Sequence, residues 1–187
     1  MKDDTLMIQS GRDSKRHFGI VNYPVYRAST VLYPTIDEFK KRTERRYRGI
    51  TYGARGTPTT FALAKAICEL EGGQGTVVVS TGLAAVTLAL TAFVKAGDHI
   101  LVVDSVYGPT RKYCDTILKG FGVATTYYDP CIGSEIEQLI QANTKLVFTE
   151  SPGSLTFEVQ DTPAIASTAC ERNVIVLMDN TWGPPVL

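Results

Sequence analysis

The chain has 187 residues, 44% hydrophobic and 20% charged, which is the composition of a folded chain with a sizeable core and excludes a disordered one. Lysine plus arginine and aspartate plus glutamate both number 19, so no net field draws it to nucleic acid or an anionic membrane, and a small-molecule partner is expected. The longest apolar stretch, 82–94, is broken by threonines and stops at Lys95, short of a membrane span. The opening MKDDTLMIQS lacks the apolar core of a secretory signal, so the expected location is the cytoplasm.

Residues 1–56 are rich in Tyr, Arg and Lys, and VNYPVYRASTVLYP shows no sustained period. Such a segment cannot bury a core of its own. It is expected to form an arm that drapes over the domain or reaches a neighbouring subunit.

Across 57–187, apolar runs of strand type alternate with segments of helical type. The helices are expected at 58–70, 83–95, 109–121, 134–141 and 162–172, with Pro58, Pro109 and Pro163 near starts, where a missing N–H costs little. The strands are expected at 76–80, 99–104, 123–129, 144–150 and 173–179. Several are continuous Val/Ile/Leu runs, apolar on both faces, which suits a parallel sheet covered by helices. The expected architecture is therefore a doubly wound or related three-layer α/β domain with right-handed crossovers. After Asp179 only NTWGPPVL follows, so a second half beyond the sequence is expected, the alternative being a compact domain that needs no more.

Cys68, Cys114, Cys131 and Cys170 are scattered without a CxxC pair, the pattern of reduced, incidental thiols rather than of a disulfide frame or a zinc site. The two histidines, His17 in the arm and His99 at the amino end of a strand, assemble neither a Ser-His-Asp triad nor a His-rich metal site.

Strand ends carry the candidate chemistry. Ser80-Thr81-Gly82-Leu83 joins a strand run to a helix, where first-turn amides and the helix dipole favour an anion such as phosphate, although the same residues also serve as plain capping. Tyr107, in Asp104-Ser105-Val106-Tyr107-Gly108-Pro109, can offer a ring face to a planar ligand and a hydroxyl to a reacting group, or lie half-buried in a loop. Asp179 closes the apolar run VIVLMD, so its carboxylate belongs at the carboxyl edge of the sheet, either capping a loop or pairing with a pyridinium nitrogen. Glu150-Ser151-Pro152-Gly153-Ser154 is another tight polar strand end.

Six motifs, Tyr52-Gly53-Ala54-Arg55-Gly56-Thr57-Pro58-Thr59, Leu70-Glu71-Gly72-Gly73, Ser80-Thr81-Gly82, Tyr107-Gly108-Pro109, Glu150-Ser151-Pro152-Gly153-Ser154 and Asp179-Asn180-Thr181-Trp182, together resemble the Cys/Met-metabolism (trans-sulfuration) family of pyridoxal 5'-phosphate (PLP) enzymes. ESPGS and DNTW are most similar to its cystathionine β-lyases. The resemblance implies the aminotransferase-like (fold type I) large domain, incomplete, with residues 57–187 as the N-terminal part of the PLP-binding domain.

It also implies roles. Gly82 and Leu83 amides hold the cofactor phosphate, Tyr107 stacks on the pyridine ring, Asp179 pairs with the ring nitrogen, and Ser154 lies near the phenolic oxygen. Tyr52 reaches the phosphate in a neighbouring subunit of a homodimer or homotetramer. The family's Tyr-x-Arg has Ala54 at its third position here; Arg55, one residue later, either meets a substrate carboxylate, takes over the phosphate, or is simply solvated at the surface. The Schiff-base lysine is expected past Leu187, which leaves this chain inactive alone and exposes apolar surface. The implied reaction is β-elimination of L-cystathionine to homocysteine, pyruvate and ammonia in methionine biosynthesis. The alternatives are a γ-synthase, a γ-lyase, a methionine γ-lyase, a non-catalytic remnant, or a nucleotide-binding module.

Overall fold

Four short strands pair into one parallel sheet in the computed structural model, which describes residues 3–44 and 49–183. They are β1 (His99–Val103), β2 (Ala124–Tyr128), β3 (Thr144–Glu150) and β4 (Ile175–Asp179), in the spatial order β2-β1-β3-β4. Every residue of β1 is buried, as is every residue of β3 except Lys145. Continuous apolar runs such as HILVV bury both faces, which is why the sheet is parallel and covered on each side. All four strands lie within two residues of their expected bounds.

The fifth expected strand, 76–80, does not form. Val77 and Val78 have the β-branched character of a strand, but a strand exists only through ladder hydrogen bonds, and no neighbour offers them among the described residues. Their side chains remain exposed.

From β1 the chain passes through α5 (Gly108–Tyr113) to β2 on one side, and from β3 through α6 (Thr162–Glu171) to β4 on the other. Right-handed crossovers taken in opposite directions place α5 and α6 on opposite faces of the sheet. The packing agrees. Helix α4 (Gly82–Phe93) lies with α5, tied through Thr91 Oγ1 and the Tyr113 hydroxyl at 2.6 Å, whereas α6 lies with the 3-10 turn Gly133–Leu139. This is the three-layer α/β arrangement expected. Leu90 of α4, Leu118, Ile136, Ile165 and Ala169 complete a core with Ile100, Val102, Leu146 and Phe148, all at most 2% exposed. Each of these side chains other than Ala169 contributes roughly 1.5–3 kcal/mol through removal from water.

Helix ends follow local chemistry. Thr81 caps α4 by accepting the Ala84 N–H at 3.1 Å, and Asp161 caps α6 by accepting the Ala164 N–H at 3.0 Å. Two helices differ from expectation. The segment 134–141 is a 3-10 turn, and 109–121 is the short α5 followed by a π-helical turn, Cys114–Leu118. Thr110, Cys114 and Leu118, four residues apart, are all buried, a spacing that an α-helical and a π-helical turn serve about equally.

The chain divides into two compact units, 1–78 and 79–187. In the first, α1 (Asp3–Gln9), α2 (Ile36–Lys40) and α3 (Pro58–Leu70) are joined by long irregular segments. The arm residues fold back on α3: the Thr59 hydroxyl donates to Pro24 O at 2.7 Å and accepts the Tyr26 N–H at 2.8 Å, and α1 packs on α3. The second unit holds the sheet, and Cys114 is its buried thiol. No helix among the described residues is long and apolar enough to cross a membrane.

Candidate functional site

The chain leaves β1 and β3 in opposite directions, so the carboxyl ends of these neighbouring strands form a switch point, the usual ligand crevice of an open α/β sheet. Their two loops are bonded to each other. The Ser154 N–H donates to Ser105 O at 2.8 Å, and the Tyr107 N–H donates to Glu150 Oε2 at 2.8 Å. A Cβ on Gly153 would collide with the Ser105 side chain, so glycine permits this close approach. Beyond it, Leu155 and Phe157 adopt left-handed φ values of 66° and 59°, a strain held by hydrogen bonds from Phe157 N–H to Gly153 O at 3.1 Å and from Gly153 N–H to Glu158 O at 2.9 Å.

Tyr107 stands at the start of α5 with its side chain 48% exposed, so a ring face is open to a ligand. One strand further, Asp179 ends β4 as the register partner of Glu150. Its Oδ1 accepts the Thr181 N–H at 3.1 Å and the Thr181 hydroxyl at 2.5 Å, while no donor among the described residues reaches Oδ2. One carboxylate oxygen is thus fixed in place and the other is left to accept.

Helix α4 ends at Phe93, close in sequence to the amino end of β1 at His99, and buries Leu90 in the core. Running antiparallel to the strands, it returns its N-terminus to the carboxyl edge. There the Gly82 and Leu83 N–H groups have no acceptor among the described residues, and a Cβ on Gly82 would meet nothing within 4 Å. The free amides and open space at a helix N-terminus suit an anion.

Glu150 is the charged group of this edge that the sequence reading did not single out. It is 7% exposed, and burial foremost, then the neighbouring Asp179 charge, push its carboxyl above the usual carboxylate range, opposed by the Tyr107 N–H. The signal was available: Glu150 closes the apolar run TKLVFTE as Asp179 closes its own.

Gly82, Leu83, Tyr107, Ser154 and Asp179 all belong to the second unit, the last three at adjacent strand ends. Tyr52 and Arg55 belong to the first. Tyr52 precedes the 3-10 turn Gly53–Arg55, and its hydroxyl accepts from Ser29 Oγ at 3.2 Å. A Cβ on Gly53 would collide with the Ala28 carbonyl, so glycine lets the arm lie against this turn. Arg55 is exposed, with no ion pair among the described residues.

The model of the Cys/Met metabolism PLP-dependent enzymes matches residues 4–187. The chain belongs to that family. It is 54% identical over 183 residues to a putative cystathionine β-lyase of Rhizobium johnstonii, covering 98% of this chain and 45% of that protein. It is 43% identical over 189 residues to the cystathionine β-lyase MetC of Escherichia coli, covering 100% of this chain and 48% of that protein. Among solved structures, the cystathionine γ-lyase of Lactobacillus plantarum superposes with a TM-score of 0.86 at 31% identity, over 99% of this chain and 46% of that one. The chain spans about half the length of the curated relatives it matches.

PLP is the cofactor of this family of enzymes, and the residues present fit it. A planar pyridinium with a phosphate tail calls for free amides, a flat aromatic face and an acceptor carboxylate. The second unit carries all three, in Gly82 and Leu83, in Tyr107 and in Asp179.

Proposed function

We propose that this chain is the cofactor-cradling part of a cytoplasmic carbon–sulfur lyase that cleaves L-cystathionine by β-elimination. The observation that carries the reading is the free acceptor oxygen of Asp179 beside the Tyr107 and Glu150 strand ends at the switch point. Relatives named cystathionine β-lyase, at 43–54% identity, support the choice of substrate.

Bound PLP supplies an electron sink for the pair left at the substrate Cα. The Gly82 and Leu83 amides hold its phosphate against the helix dipole. The Tyr107 ring would cover one face of the pyridine and exclude water from it. Asp179 Oδ2 accepts from the ring nitrogen and keeps it protonated, while the Thr181 donors on Oδ1 stop the carboxylate turning away. Ser154 would lie near the phenolic oxygen of the bound cofactor, and the Tyr107 hydroxyl, which has no partner among the described residues, would exchange protons with the substrate. The Cβ–S bond breaks, and with one water consumed the products are homocysteine, pyruvate and ammonia.

The arm serves a neighbouring subunit of a homodimer or homotetramer. Tyr52 meets that subunit's phosphate and Arg55 the substrate carboxylate. In this reading the Schiff-base lysine belongs to a segment outside residues 1–187. Lys95 precedes β1, Lys112 lies in α5 and Lys119 after it, and Lys145 is at the amino end of β3, so none of these closes a strand.

The test is to supply PLP and L-cystathionine to the longest natural protein that carries this sequence and to quantify the keto acid. Pyruvate and homocysteine in equal amounts are expected. Cysteine with 2-oxobutyrate would reassign the chain to γ-elimination, and no keto acid at all would remove the reading. The 187-residue chain alone is expected to release none and to show no lysine-linked cofactor band; a band would overturn the lysine assignment.

A further inference from the structure

Glu150 has no part in the scheme above, yet it is the buried carboxylate that joins all three strand ends of the site. Its backbone carbonyl accepts the Gln160 side-chain amide at 2.6 Å, and Gln160 in turn accepts the buried Tyr128 hydroxyl at 3.0 Å, so the residue is fixed from behind. Its side chain crosses from β3 to the end of β1 to accept the Tyr107 N–H at 2.8 Å. On its other flank, Glu150 and Asp179 are register partners on neighbouring parallel strands, which places both carboxylates on the same face of the sheet, roughly 5 Å apart at the backbone.

A structural strut does not need this residue type. Any acceptor would tie down the Tyr107 amide, and a neutral one would avoid the cost of a second carboxylate beside Asp179. A pair of neighbouring carboxylates becomes useful when a cation sits against it, because two anions hold a proton on a ring nitrogen more firmly than one.

Resting on the PLP reading of the site, we propose that Glu150 is a positioning residue for the cofactor: it clamps the Tyr107 loop so that the ring faces the pyridine, and its charge strengthens the hold of Asp179 on the protonated ring nitrogen.

Two substitutions separate these duties. Glu150→Gln keeps an acceptor for the Tyr107 N–H and removes the charge; Glu150→Ala removes both. The probe is pyridoxamine 5'-phosphate, which carries the phosphate, ring and pyridine nitrogen and needs no lysine. It is titrated into the longest natural protein bearing this sequence, with binding read by fluorescence and ring-nitrogen protonation by absorbance against pH.

In Glu150→Gln, the ring nitrogen is expected to lose its proton about one pH unit earlier than in the wild type, with the Tyr107 amide still protected from hydrogen exchange. In Glu150→Ala the same shift is joined by about tenfold faster exchange at Tyr107 and about tenfold weaker binding. A Glu150→Gln protein that titrates like the wild type would overturn the charge role, and unchanged exchange in Glu150→Ala would overturn the clamp. If Glu150→Ala fails to fold, Glu150→Gln still decides the charge role and Glu150→Asp, too short to reach the amide, decides the clamp by the same exchange readout. Wild-type protein that binds no pyridoxamine 5'-phosphate would instead refute the PLP reading beneath the proposal, an outcome distinct from either failure.

Discussion

Tyr107 offers two groups that a single substitution separates. Its ring face depends on the backbone held by Glu150, whereas its hydroxyl, unpartnered among the described residues, is the group proposed to move protons. Tyr107→Phe keeps the face and deletes the hydroxyl. Cofactor affinity is therefore expected to stay within about twofold, while kcat for pyruvate release falls on the order of a hundredfold, the low end for a general acid or base. Equal losses in affinity and kcat, measured by cofactor fluorescence and keto-acid release, would mean that the hydroxyl is structural. At this scale the sequence displays residue type and strand-end position, which is enough to single out Tyr107 and Asp179. It does not display which amide a carboxylate accepts, so Glu150 passes as part of a loop motif until β1 and β3 are side by side.

His99 acts on elements rather than on chemistry. Its ring lies at the amino end of β1 between Thr144 Oγ1 of β3 at 2.8 Å and Thr126 Oγ1 of β2 at 2.9 Å, so one side chain ties three strands. The Thr144 hydroxyl also accepts the Gln141 N–H at 2.7 Å, which ties the turn before β3 into the same network. Burial disfavours the charged ring and holds its pKa below the ordinary histidine value. The unfolded chain takes up the proton near the ordinary value, and the folded chain only at lower pH. The His99 contribution is thus complete above that ordinary value and is lost as pH falls through it toward the folded one. Urea unfolding of wild type and of His99→Gln, from about pH 7.5 down to about pH 5.5, is expected to show a steeper acid loss in the wild type; parallel curves would refute it. Sequence period gave the position of His99 and the bounds of β3 and α3 with little error, because those runs declare their own geometry. It misplaced 76–80 because pairing is a property of neighbours, and it merged α5 with a π turn because the spacing of Thr110, Cys114 and Leu118 fits either turn.

At the scale of the whole molecule, the second unit presents more apolar surface than a solitary α/β domain tolerates. Leu83, Leu88 and Phe93 of α4 are 40%, 51% and 47% exposed, although GLAAVTLALTAF is apolar nearly all round and so has the character of a helix covered on every side. Among the described residues strand β4 is an edge, with Ile175 and Met178 exposed and only its β3 side paired, an open template for another strand. Helix α4 packs against β4, which brings these features into one region of the unit. Apolar surface of this kind drives association wherever it meets its like. The 187-residue chain taken alone is therefore expected to bind an apolar dye and to sediment as concentration-dependent oligomers. Leu88→Lys combined with Met178→Lys places a charge on each exposed element without touching the buried core, and should shift sedimentation toward the monomer and lower dye binding several-fold. Oligomers unchanged by the pair of lysines would place the associating surface elsewhere, outside α4 and the β4 edge.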